Sequence, residues 1–123
     1  MKSGIAAYRR IQREATSDSA SMGTLLRVLV DSILVGRRAL VAHDLATSNK
    51  HFVSAQQVLV QLRNVNWDGT ENVGQNLRDL FSWCEIALGK ANISHDVEVI
   101  DSVTVVLGNL RDGFEGIFQG ADS

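Results

Sequence analysis

Three histidines, one cysteine and a group of carboxylates are the side chains here whose chemistry could go beyond packing. A metal site on a helix needs two ligands one turn apart, and His43, His51 and His95 form neither a His-x-x-x-His nor a Glu-x-x-His pair. They read as surface or capping histidines. Cys84 falls on the apolar stripe of a predicted helix, which makes it a small core residue rather than a nucleophile. Asp96, Glu98 and Asp101 gather at a predicted helix start, where negative charge suits the helix dipole, so they are assigned to capping and not to paired acid–base work. Gly108 and Gly113 have the glycine spacing of a phosphate loop but lack the Lys-Ser/Thr that must follow. There is no glycine-rich dinucleotide fingerprint and no zinc spacing. No catalytic, cofactor-binding or metal-binding residue is assigned, and the chain is not expected to be an enzyme.

The elements that carry these residues are helices. A chain of 123 residues, 45 % apolar and 21 % charged, suits one globular domain. It has no proline and only 6 % aromatics, which disfavours a turn-rich sandwich and favours long helices. A single cysteine excludes an internal disulfide framework. Leu25, Leu26, Leu29, Ile33, Arg37 and Leu40 keep a three-and-four rhythm that predicts a helix over 22–42, with Ser21 as its N-cap. Asp44 caps a second helix over 45–65, with Leu45, Phe52, Ala55, Leu59 and Leu62 on one face. Asp68-Gly69 marks a turn. A third helix over 71–92 bears Val73, Leu77, Leu80, Cys84, Ala87, Leu88 and Ala91. Asn92 to His95 form the next link, and Asp96 caps a fourth helix over 97–117 with Ile100, Val103, Leu107, Leu110, Phe114 and Ile117. Leu77, Leu80, Cys84 and Leu107 are expected in the core. The valines of 97–106 lend some strand character, which the sustained helical spacing outweighs, and Gly108, Gly113 and Gly116 weaken the last turns. Short links between similar helices predict an all-α, antiparallel up-down four-helix bundle over 21–118, a short helical or extended N-terminal leader over 1–20, and a disordered tail over 119–123.

Residues 1–64 carry nine Lys/Arg against four Asp/Glu, and residues 65–123 three against ten. Two oppositely charged halves that pack side by side account for this; the basic residues are too scattered for a nucleic-acid surface, and no nucleic-acid partner is expected. Leu25–Val35, the most apolar stretch, is short and broken by Arg27 and Asp31, so membrane insertion is not expected. With no apolar signal core, the chain is assigned to the cytoplasm. The remaining signals are for binding. Ile5, Tyr8 and Ile11 are spaced along one side of the basic leader, which could lie as a lid over a groove. Phe81 and Trp83 on the third helix, and Val53 and Val60 on the second, lie beside the main apolar faces; they are either core edges or the lining of a groove for an amphipathic helix.

The order of these features resembles the FliS family of flagellar secretion chaperones. Ala7-Tyr8 is similar to the family's N-terminal Ala-Tyr, and Ser19-Ala20-Ser21 with Leu25-Leu26 to its Thr-Ala-Ser-Pro-x-x-Leu-Ile helix start. Leu29 and Asp31, Asp44, Ala55-Gln56, Asn76-Leu77 with Leu80, Ala91-Asn92 with Asp96, and Leu110-Arg111-Asp112 follow in the family's order over about 105 residues. Met22, Val30 and Ser32 stand where the family usually has proline, tyrosine and glycine. The resemblance implies a cytosolic, non-catalytic chaperone. It would bind the disordered C-terminal segment of flagellin, prevent premature polymerisation and present the client to the type III export gate, with the membrane protein FlhA as docking partner. A monomer or weak homodimer without cofactor fits this role. The alternative is a helical adaptor or regulatory protein for another amphipathic helix.

Overall fold

The computed structural model describes the backbone of residues 19–65 and 71–122 and the side chains of 22–65 and 73–116. Among the described residues there are four helices and no strand: α1 (Ser19–Val41), α2 (Leu45–Arg63), α3 (Glu71–Ser94) and α4 (Val97–Asp122). α1 packs on α2 and α4, and α3 closes the ring against both, without diagonal contact among the described residues. Cross-helix pairs set the antiparallel order. Ser32 of α1 meets His51 of α2, and Asn92 of α3 donates to Asn49 of α2. Arg37 near the end of α1 binds Asp101 near the start of α4, while Arg27 near the start of α1 binds Glu115 far along α4. The last two pairs join the basic half of the chain to the acidic half.

One device makes two of the turns. At the end of α1 the Asp44 N–H donates to Ala39 O at 2.8 Å and the His43 N–H to Leu40 O at 3.0 Å, with His43 at φ 63°. At the end of α3 the Asp96 N–H reaches back to Ala91 O at 3.0 Å, with His95 at φ 60°. A left-handed residue after a helix lets the chain cover its last carbonyls, and histidine adopts that conformation more readily than most. Each aspartate then caps the following helix: Asp44 Oδ1 accepts from Thr47 N, and Asp96 Oδ1 from Val99 N, both at 3.2 Å. A His-Asp dipeptide thus ends one helix and begins the next, twice, at the same end of the bundle.

Several expectations change. Ser21 lies inside α1, which begins at Ser19, so it is not the N-cap. α3 runs on to Ser94, which leaves His95-Asp96 as the link. α4 continues to Asp122, through residues 119–122 that were assigned to a disordered tail. Asp101 is drawn to Arg37 (2.6 Å) instead of serving as a cap. Leu80 is only half-buried, because the core line of α3 passes through Leu77, Phe81, Cys84, Leu88 and Ala91. Successive helical residues lie about 100° apart, so Leu80 and Phe81 cannot both face the centre. Leu45 and Val73, at helix starts, are exposed. Of the leader expected over 1–20, residues 1–18, with Lys2, Arg9, Arg10 and Arg13, lie outside the described residues, as does the Asp68-Gly69 turn, while Ser19 and Ala20 belong to α1.

Candidate functional site

Helix α3 has one face in the core and two flanks. Asn92 against Asn49 (2.9 Å) and Gly89 against Gln56 define the flank toward α2. A Cβ at Gly89 would come within 2.5 Å of Gln56 Nε2, the flexible end of that side chain, so Gly89 and Gln56 face each other across the seam. On α2 the positions 49, 53, 56 and 60 form one helical row, so Val53, exposed, and Val60, half-buried, line the α2–α3 seam. The other flank of α3 faces α4. Leu80 and Ala87 lie there half-buried, and Val99 and Val106, one helical row on α4, pack partly against the core. This α3–α4 seam is the least closely packed of the four.

Between the flanks runs an outward ridge. Trp83 is 47 % exposed, Ile86 52 % and Ile93 84 %. Three large apolar side chains on one exposed helix face, bordered by apolar seams, form the kind of surface that an amphipathic partner helix covers.

The residues singled out from sequence separate accordingly. Trp83 is on the ridge, and Val53 and Val60 are on the α2 side of it. Phe81 is fully buried on the core line of α3, away from the exposed ridge. Ile5, Tyr8 and Ile11 lie outside the described residues. Ile86 and Ile93 were missed, although they are seven residues apart and off the core line, the same signal that picked out Trp83.

Groups with reactive chemistry stay apart. Among the described residues no three His, Cys, Asp or Glu side chains stand close enough to hold a metal ion. His43 and His95 occupy the turns, and His51 meets Ser32 Oγ at 3.2 Å. Cys84 is a free, buried thiol, and burial pushes its pKa up to about 12, which suppresses the thiolate that a nucleophile requires. No described helix is long and apolar enough to cross a membrane.

The model of the family described as "Flagellar protein FliS" matches residues 1–121. The chain belongs to the FliS family. The match includes residues 1–18 and 66–70, and it covers the bundle and the α3 surface alike. No curated protein matches the chain.

Proposed function

We propose that this FliS-family chain is a cytoplasmic export chaperone that holds the disordered C-terminal segment of flagellin and hands it to the flagellar export gate, with FlhA as the docking partner there. Membership of the family carries a flagellar chaperone function, and the family is one of chaperones rather than of enzymes. The observation that supports flagellin as client is the exposed ridge of Trp83, Ile86 and Ile93 on α3. A segment that is disordered until bound can fold as an amphipathic helix against that ridge; ordering it offsets part of the contact energy and keeps the complex reversible. Val53 and Val60 would extend the contact on one side, and Ile5, Tyr8 and Ile11 of the leader would compete with the client or touch it.

Calorimetry with a flagellin C-terminal peptide tests this reading. Trp83→Ala should weaken binding by at least about tenfold, because a large exposed aromatic at the centre of an interface is a typical anchor. Circular dichroism should stay unchanged, since Trp83 contributes little to the core. Wild-type protein that ignores the flagellin peptide but captures an unrelated amphipathic helix would favour the general adaptor instead.

A further inference from the structure

Glycines in this bundle are of two kinds. At Gly36 a Cβ would come within 2.8 Å of Phe52, at Gly89 within 2.5 Å of Gln56, and at Gly23 within 3.1 Å of Glu115. Those positions face neighbouring side chains: the Phe52 ring at Gly36, and the flexible side chains of Gln56 at Gly89 and of Glu115 at Gly23. α4 has the other kind. A Cβ on Gly108 would meet only Arg111 Nη2 at 3.7 Å, and at Gly113 and Gly116 it would meet nothing within 4 Å. Three residues of the poorest helix propensity short of proline therefore lie within nine positions, with no packing reason for them among the described residues.

Other features weaken the same segment. The last turn of α4 has no basic residue to complement the helix dipole, and it ends at Asp122. The seam to α3 is the loosest in the bundle. α4 packs most extensively on α1, but most of the fully buried residues on α4 lie before Gly108; beyond it the described contacts are the partly buried Leu110 and Phe114, the latter beside Gly23, and the Arg27–Glu115 pair, whose arginine is largely exposed. Exposed ion pairs contribute little, and segments with few buried contacts open first. Upstream, the start of α4 is held by the Asp96 cap, by Arg37–Asp101 and by the fully buried Ile100, Val103 and Leu107.

We propose that α4 from Gly108 onward is a detachable arm. It opens while the rest of the bundle stays folded, and by lifting Phe114 away it bares the apolar end of the core and widens the α3–α4 seam for a partner's amphipathic helix. The identity of that partner as the flagellin segment rests on the function proposed above; the opening itself does not.

Hydrogen exchange on the full-length protein tests the arm. Amides of residues 109–116 should exchange at least tenfold faster than those of residues 55–62 in α2. The double variant Gly113→Ala/Gly116→Ala should slow exchange in the arm by roughly 20-fold, about fivefold per site, and leave α2 unchanged. Because the partner selects the open state, the same variant should bind the flagellin C-terminal peptide more weakly, by up to that factor. Wild-type arm amides as protected as those of α2, or exchange unchanged in the double variant, would overturn the arm. Slowed exchange with unchanged peptide affinity would overturn its role in admitting the partner. A wild-type protein that does not bind the peptide would sink the flagellin reading, and exchange alone would still decide the arm.

Discussion

The two ends of the bundle are built differently. At the end that holds both His-Asp turns, each turn covers helix carbonyls and caps the next helix, Arg37 grips Asp101 through two nitrogens, and Asn92 bonds Asn49. Gly36 makes room for the Phe52 ring of α2 against α1. At the opposite end α4 runs on through Gly113 and Gly116, which touch nothing among the described residues, and is held to the core there by the partly buried Leu110 and Phe114 and by one exposed ion pair. The difference shows how a chain with a continuous core can still divide its stability. A chaperone needs one part that stays folded and another that yields to its client, and both can be set by backbone propensity and capping without altering the core.

The contrast is broken most severely at the tied end. Phe52 is fully buried under Gly36, and Phe52→Ala should cost about 3–5 kcal/mol in a urea titration, close to the whole stability of a small domain. A smaller and sharper probe is Gly36→Ala. Its methyl would crowd the Phe52 ring, so a loss of about 1–3 kcal/mol is expected, where alanine at Gly113 should be neutral or stabilising. Equal effects at the two glycines would erase the distinction between the ends.

The caps give the smallest effects. Asp96→Ala should lower stability by roughly 0.5–2 kcal/mol. At the other turn, hydrogen bonds from the Thr47 side chain and backbone hold Asp44 below the usual carboxylate range. A carboxylate with a depressed folded-state pKa adds stability that is present above its unfolded pKa and is lost as pH falls through the folded one. Acid titration should therefore remove Asp44's contribution below about pH 4, and Asp44→Ala should flatten the stability profile there while leaving its shape near pH 7 unchanged.

Much of the bundle was legible before any coordinates. The stripes around Leu29, Leu59, Leu88 and Leu107 depend on helical period alone, and Asp44 and Asp96 were readable as caps because a short acceptor before an apolar run has few other uses. Boundaries were less legible. Ser21 had the right type for a cap, but serine is also tolerated within a first turn, and nothing local separates the two. Leu80 and Phe81 show the same limit within a helix: adjacent apolar residues satisfy the stripe equally well, and only the packing of α2 and α4 around α3 places Phe81 at the centre.

The candidate site divides along similar lines. Residue types alone marked Trp83, Val53 and Val60 as surplus apolar surface, and the ordered motifs pointed to the family that the model of residues 1–121 shows. Whether surplus apolar surface becomes core or ridge depends on how far each helix is rotated about its axis, which contacts distant in sequence decide. Phe81 went inward and Ile86 and Ile93 outward for that reason. The helical type of the described elements and the Asp44 and Asp96 caps were determined by the sequence itself, because they arise from interactions within four residues along the chain. Which seam stays loose, which glycines are crowded and which aspartate meets Arg37 were decided only by tertiary structure, because each depends on residues brought together from opposite halves of the chain.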